Sequence, residues 1–492
     1  MTISSNIKLV IIIMVFGLLT IFCSTGYITP DSLTATASVP KNSPVPTAFF
    51  VFPTETSTSP PTPTDTPDPT LFTPTSAISS PTPVPSPTAT LAPLSADPPL
   101  LQYFAQSGDT LPGLVNRFGV NLFEIVSSED IPETDFIDPG QFFMIPQRLG
   151  ETTPDEQIFP DSEIVFSPST IGFDSVAYSN LVGGALSNYT EYIIATGNTS
   201  GADIVNRIAI QNSINPRILL SLLNYQSNWV LGEPDTLSKT DYPMGFINLE
   251  SKGLYAQLSW AVNHISVGYY GWREGTLTHL EFKDGSSIRI APTLNAGTVA
   301  IQYFFSQVNN HDEWQNAINP ASGLPALHTV MFGDAQARAS AVEPILPPAL
   351  EQPRLILPFL IGQRWAYTGG PHGAWGLLGS QAALDFAPGS VEHGCAPSEN
   401  LIVSASAGIV TRIDTGVVVI DLDGDGNEQT GWVLLYLHLD KLDSIQFGQW
   451  VDQSEILGKP SCKGGASTGT HLHFARKYNG EWIAAGGGLP FV

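Results

Sequence analysis

Hydrophobic and polar positions change their pattern several times along this chain. After Lys8 the stretch Leu9 to Cys23 is almost continuously apolar, the length of a signal-peptide core and short for a membrane span of about 20 residues. From about Pro30 to Pro99, Pro, Thr and Ser dominate, as in Ser59-Pro60-Pro61-Thr62-Pro63-Thr64. No core can form from such a segment; at about 3.1 Å per residue it is expected to make an extended stalk reaching on the order of 200 Å at most.

Periodicity begins at Leu101. Between Leu101 and Leu149 the spacings predict strand, helix, helix and strand. Gly108-Asp109-Thr110 supplies a turn and helix cap, Gly119 a helix stop and Pro139-Gly140 the turn into the final strand. From Ser167 to Val342 the period is helical, over Ile204 to Ile210, Ile218 to Leu223, Ser259 to Tyr269 and Ala296 to Val308. Asn215-Pro216 forms a cap and first-turn pair for the second of these. From Arg354 onward short strands alternate with Gly-rich turns: Ile402 to Ala405, Gly408 to Asp414, Val417 to Leu422, Trp432 to His438 and Thr470 to Phe474. That region reads as antiparallel β.

Length and charge then bound the partners. A chain of 492 residues is too long for one core, and about three folded units are expected. The reading is therefore multidomain: 1–28 a signal peptide or N-terminal anchor, 29–99 a linker, 100–149 a small βααβ module, 160–345 a mainly α domain, and 350–492 an antiparallel all-β domain. With 45 acidic against 20 basic residues, the surface would repel phosphate, so nucleic acid is not an expected partner. Charged residues are only 13% of the total, as suits an exported protein with long uncharged linkers. Three fates of the N-terminus are open: cleavage near Ser24-Thr25-Gly26, retention through Ile28 as an anchor in the cytoplasmic membrane, or lipidation at Cys23, which Phe22 disfavours because a small residue belongs there. Each places the folded units outside the cell or in its envelope.

Candidate chemistry concentrates at the C-terminal end. Side chains at i and i+2 of a strand share a face, so His471 and His473 can converge while Leu472 packs on the other side. Tyr436 and His438 repeat that spacing, and Asp385 stands upstream in Ala383-Leu384-Asp385-Phe386-Ala387-Pro388. Two imidazoles and a carboxylate are the ligands a catalytic Zn2+ takes when one position stays open for water. Asp421, Asp423, Asp425 and Asn427 suggest a calcium loop, but position twelve is Trp432 instead of a bidentate glutamate, so a hairpin turn is expected. Cys395 and Cys462 flank the site and can pair outside the cytoplasm, leaving Cys23 to the export segment.

Three resemblances follow from these residues. The blocks Tyr103 to Leu111, Leu114 to Val120 and Pro139 to Pro146 resemble the lysin-motif (LysM) family. That resemblance implies binding of N-acetylglucosamine-containing glycan, with Gly108, Asp109, Thr110 and Leu111 and the loop Ile131 to Phe136 as the sugar site. The segment Ile214 to Trp229 is similar to the helix that carries the catalytic glutamate of lysozyme-like lytic transglycosylases, and Asn295-Ala296-Gly297 is similar to another piece of that family. At the glutamate's position this chain has Gln226, whose amide cannot donate the required proton. The domain therefore reads as a glycan-binding or spacing unit, although Asp235, Glu250 or Glu274 could serve by another alignment.

The third resemblance is to lysostaphin-type (LytM-type) zinc endopeptidases. It rests on Leu384 to Ala387, Ala405 to Val410, Leu435 to Leu439, Phe447 to Val451, Gly458 and Ser467 to Phe474, in that order. It implies His473 and Asp385 as zinc ligands, His438 and His471 as catalytic histidines beside the open position, and hydrolysis of peptide bonds in peptidoglycan stems or cross-bridges. The family's first histidine stands four residues before the aspartate, where this chain has Gln381. His372 is the expected third ligand, reached through a longer insertion; His393 is the other nearby candidate. Glycan strands and stem peptides are the implied partners. A non-catalytic peptidoglycan-binding protein, or an activator of other wall hydrolases, is the alternative.

Overall fold

Strand β1 (Leu100–Phe104) pairs antiparallel with β2 (Phe142–Pro146), and helix α1 (Leu111–Phe118) packs beneath them over Tyr103, Leu114, Phe118, Phe143 and Ile145. The computed structural model describes residues 98–376, 378–389 and 393–491, so the expected export segment and nearly all of the stalk lie outside the described residues. Thr110 caps α1 by accepting from the Gly113 amide, and Gly119 ends it at φ 63°, a backbone region that favours glycine. The second helix expected here is a single 3-10 turn, Leu122–Glu124, closed by a reciprocal Asn121–Glu124 capping box. It stops because Ile125 is extended and Val126 bridges to Met144 of β2.

The helical segment contains α2 (Gly201–Asn212), α3 (Pro216–Ser227), α4 (Leu254–Arg273), α5 (Ala296–Val308) and α6 (Leu324–Phe332) among shorter pieces. Two hairpins accompany them, β3 (Thr190–Ile193) with β4 (Gly197–Ser200), and β5 (His279–Glu281) with β6 (Ser287–Arg289). Asn215 caps α3 by accepting from Arg217, with Pro216 in the first turn. The central helix α4 buries Leu258, Ala261, Val262, Ile265 and Tyr269. At Gly268 it approaches α5 so closely that a Cβ would lie 2.8 Å from the Cα of Ala300. Among the described residues no helix is long and apolar enough to cross a membrane.

The C-terminal segment is antiparallel β. Its strands are β7 (Trp365–Gly373), β8 (Gln381–Pro388), β9 (Ile402–Val403), β10 (Gly408–Asp414), β11 (Val417–Asp421), β12 (Trp432–Leu437), β13 (Leu439–Lys441), β14 (Trp450–Val451), β15 (Ile456–Pro460), β16 (Leu472–Tyr478) and β17 (Glu481–Trp482). The main sheet runs β14-β10-β11-β12-β16-β8-β7, with β17 on β16, and a small sheet runs β13-β15-β9. Alternation sorts the side chains. Val418, Ile420, Leu434, Tyr436, Leu472 and Phe474 pack with Ile402 and Leu457 of the small sheet, whereas Val417, Val419, Leu435, Leu437 and Ala475 join the core of the helical segment. The acidic run Asp421 to Asn427 lies in the connection between the antiparallel strands β11 and β12, with Asp421 accepting from the amides of Asp423 and Gly426.

The described residues belong to one compact unit, and Arg273 at the end of α4 is its junction. Its Nε donates to Glu481 at 2.9 Å, its Nη2 to Asp161 at 2.8 Å, and its Nη1 to the Ser107 carbonyl. All three side chains are buried. A buried guanidinium is tolerated because its donors are matched by carboxylates and a carbonyl.

Candidate metal centre

His473 and Asp385 are direct cross-strand partners on β16 and β8, and Gly369 of β7 stands opposite Asp385 on its other side. A Cβ on Gly369 would lie 3.3 Å from Asp385 Oδ2, so the missing side chain leaves the carboxylate its room. His372 lies near the end of β7, which bulges repeatedly between Tyr367 and Gly373. Those bulges carry its imidazole back over the carboxylate. His372 Nε2 is 3.0 Å from Asp385 Oδ2, and His473 Nδ1 is 3.2 Å from Oδ1. One ligand atom from each of the three residues lies within 4.8 Å of the others.

His438 reaches this point by a route that strand alternation does not give. Strand β12 ends at Leu437, and Tyr436 points into the core, where its hydroxyl accepts from the Ala405 amide at 2.7 Å. Continued alternation would send His438 to the same side as Tyr436. Instead His438 has φ 62°, a left-handed conformation uncommon for residues with a side chain, and its ring lies 4.4 Å from that of His471. The expectation that Tyr436 and His438 share a strand face is corrected accordingly. His471 bridges to Ser461 just before β16, with Nε2 3.7 Å from Asp385 Oδ2.

Each imidazole donates one ring N–H to a backbone carbonyl. His372 Nδ1 bonds Ala383 at 3.1 Å, His473 Nε2 bonds Ala374 at 2.9 Å, His438 Nδ1 bonds Lys463 at 2.8 Å and His471 Nδ1 bonds Gly469 at 2.8 Å. A carbonyl only accepts, so these contacts fix the tautomer, and the opposite nitrogen of each neutral ring carries a lone pair. Two lone pairs, on His372 Nε2 and His473 Nδ1, therefore face a carboxylate. A cation must lie between them, either a proton or a metal ion. The hydrogen bond to the Asp385 carboxylate raises the pKa of His372, which favours a proton there when no metal is bound. Burial pushes Asp385 up, but the bonds to His372 and then His473 outweigh it and hold its carboxyl well below the usual range. Burial, with the neighbouring His471 next, pushes His438 down to about 4, so it is neutral near pH 7.

The donor set fits zinc. Two imidazole nitrogens and a carboxylate are the ligand types of a catalytic zinc, and one such atom from each residue lies within 4.8 Å of the others. Asp385 Oδ1 is buried and accepts no well-formed hydrogen bond among the described residues, its polar neighbour being His473 Nδ1 at 3.2 Å, which suits a pair of ligand atoms.

Around the histidines, Cys395 and Cys462 form a disulfide with Cα atoms 5.7 Å apart. Thr470 ties the same loops together, its amide bonding Gly394 at 2.9 Å and its hydroxyl Ala396 at 2.6 Å. His393 is exposed and stands outside the three-ligand group. Asp421, Asp423 and Asp425 form a second carboxylate group, each accepting from a backbone amide of the same turn, Asp423 from Asp425 and Asp425 from Asn427.

Of the four residues read as a sugar site, Asp109 is buried against Arg117 and accepts from the Tyr103 hydroxyl, Leu111 lies in the core, and Thr110 caps α1. Gly108 and Thr110 border a cavity of about 330 Å3 shared with Phe136, Glu274, Trp482 and Gly486. Gln226 is half-buried at the end of α3, its amide 3.4 Å from the Met244 carbonyl. Asp235 and Glu250 are exposed, while burial raises the pKa of Glu274.

Sequence reasoning missed the carbonyls of Ala374, Ala383, Lys463 and Gly469. Backbone atoms leave no residue signal, although the glycine pairs Gly369-Gly370 and Gly464-Gly465 mark where main chains approach the site.

An antiparallel sheet that brings two histidines and an aspartate together, with two further histidines alongside, defines a metal-dependent hydrolase class. Residues 393–485 match the family described as Peptidase family M23, and residues 157–345 match the LasA N-terminal domain; together with homology to a named protease these support a LytM-type M23 metallopeptidase. The M23 match includes His438, His471 and His473 and begins beyond His372 and Asp385. Protease LasA of Pseudomonas aeruginosa, in two strains, is 26% identical over 343 and 341 residues, 66% of this chain and 75% of the relative. Among solved structures, an M23 metalloprotease named pseudoalterin is 27% identical over 26% of this chain and 73% of its own, with a TM-score of 0.22. A zinc-containing peptidase from Vibrio cholerae is 23% identical over 27% of this chain and 39% of its own, with a TM-score of 0.20.

Proposed function

We propose that this chain is an exported, zinc-dependent endopeptidase that cuts peptide bonds in the stems or cross-bridges of peptidoglycan. The observation that carries this reading is the pair of ring lone pairs, on His372 Nε2 and His473 Nδ1, set by backbone carbonyls to face Asp385. A zinc ion held by these three residues would supply the Lewis acidity that makes water nucleophilic near neutral pH and polarises the scissile carbonyl.

The chain's own residues do the rest. His438, neutral and with Nε2 free, accepts the proton that the attacking water loses and returns it to the departing amine. His471, its Nε2 also free and 3.7 Å from Asp385, accepts a hydrogen bond from the attacking water and orients it. The backbone bonds at Lys463 and Gly469 hold both rings in these orientations.

Peptidoglycan as the substrate is supported by the lysostaphin-type blocks, and cleavage of a peptide bond by the similarity to Protease LasA. The LysM-like blocks support a glycan-binding role for residues 100–149, which would raise the local concentration of wall near the peptidase. The apolar stretch Leu9 to Cys23 and the stalk after it support a location in the envelope or outside the cell, tethered at the N-terminus if that stretch is retained or lipidated.

The test is metal content of the purified protein lacking only the N-terminal apolar stretch, with peptide release from purified peptidoglycan. One zinc per chain and release that disappears in His473→Ala are expected. Zinc without release would transfer the reading to a wall-binding or activating protein, and neither zinc nor release from a folded chain would end it.

A further inference from the structure

We propose that helix α4 belongs to the support of the metal centre, with Asn263 and Ser266 as positioning residues that act on His473 through the loop between β7 and β8. The inference rests on the zinc reading given above. It starts from the long spacing between His372 and Asp385, which the hydrolytic chemistry does not itself require.

The two ligand imidazoles are oriented by the carbonyls of Ala374 and Ala383. Both alanines belong to the helical core, at 1% and 0% exposure. Trp375 packs against the same core. Beyond it Gly376 and Gly379 each stand against α4: a Cβ on Gly376 would lie 2.9 Å from Asn263 Oδ1, and one on Gly379 would lie 2.6 Å from the Cβ of Ser266. Residues three apart share a helix face, so Asn263 and Ser266 form one seat. Both glycines have φ in the left-handed region, 81° and 104°, so the backbone at each contact takes a shape that suits glycine. By contrast, the carbonyls that orient His438 and His471 come from Lys463, which is exposed, and Gly469, which is half-buried, on the disulfide-linked side. The ligands are thus positioned by the helical segment and the proton-transfer histidines by a surface loop.

Ser266→Leu fills the seat under Gly379 and lifts the loop; Asn263→Ala removes the contact at Gly376. Zinc affinity, measured on the described chain by competition with a chromogenic chelator, is expected to fall about 10- to 100-fold in Ser266→Leu, the range for outer partners of metal ligands, and less in Asn263→Ala. Leu220→Ala, buried on α3 away from the loop, is the control, expected to lower Tm without changing zinc affinity. Folded variants at both seat positions with unchanged affinity would overturn the proposal, as would an equal loss in Leu220→Ala. If Ser266→Leu does not fold, Asn263→Ala decides alone. A native chain that binds no zinc would remove the zinc reading itself, which is a separate outcome.

Discussion

His473 and Asp385 sit directly opposite each other on neighbouring strands, Nδ1 to Oδ1 at 3.2 Å, while His438 approaches the same point from a left-handed turn beyond the end of its strand. The proposed ligand and the proposed base are therefore separable by mutation. His473→Ala should lose zinc by more than about 100-fold, beyond the effect of any outer partner. His438→Ala should keep zinc and lose about 10²- to 10⁴-fold in kcat. Zinc analysis beside kcat distinguishes them, and a zinc-free His438→Ala protein would count against the assignment of roles.

Tyr436 is a core residue despite standing two positions before His438. Tyr436→Phe leaves the buried Ala405 amide without its acceptor and should cost about 1–3 kcal/mol. Zinc content and kcat should hold. Denaturant unfolding beside turnover checks this; a large kcat loss at unchanged stability would restore Tyr436 to the site.

The disulfide closes a loop between positions 67 residues apart and should contribute about 2–4 kcal/mol. Its loops also carry Lys463 and Gly469, whose carbonyls orient His438 and His471. Cys395→Ser with Cys462→Ser should lower both Tm and kcat while zinc affinity stays within about twofold, the two sites being energetically independent to about 0.3–0.5 kcal/mol if they share no partners. Matched loss of zinc would show that the two halves of the site are not independent.

Glu428 lies buried between Arg412 and Lys477. Burial pushes its pKa up, but the two cations outweigh this and bring it down to about 2. A carboxyl whose folded value lies below its ordinary one stabilises the fold above that ordinary value, and the contribution is lost as pH falls from about 4.5 through about 2. Native stability should decline across that window. Glu428→Gln should flatten the decline and, at pH 7, cost about 3–5 kcal/mol by leaving both cations unpaired. Urea melts at pH 7, 4 and 2.5 would show it; parallel declines in the two proteins would refute it.

Local patterns carried much of this architecture. The Asn215-Pro216 cap, the helix from Ala296 to Val308 and the strand from Gly408 to Asp414 stand where their spacing puts them, because caps and amphipathic periods are set by near neighbours. Asp385 and the paired histidines were legible as chemistry. The strands that carry His372 and Asp385 were not read as strands, since glycines, Pro371 and repeated bulges break the alternation of β7. His438's turn was hidden because its backbone conformation is imposed by the bonds of its carbonyl to Ser461 and its ring to Lys463. Asp109 was read as reaching toward a sugar; the Tyr103 and Arg117 partners that hold it inside are matters of packing, which single positions do not announce.

The Arg273 junction bears on how the molecule can be divided. Borders that look natural along the chain, near residues 150 and 350, are not borders in three dimensions, because one guanidinium serves Ser107, Asp161 and Glu481 together. A fragment beginning near residue 350 would strand Glu481 without its cation and lay bare Leu435, Leu437 and Ala383, which now face helices. Severing the protein there would create a sticky, self-associating piece, so excision experiments and protein engineering alike should treat everything from residue 98 onward as indivisible.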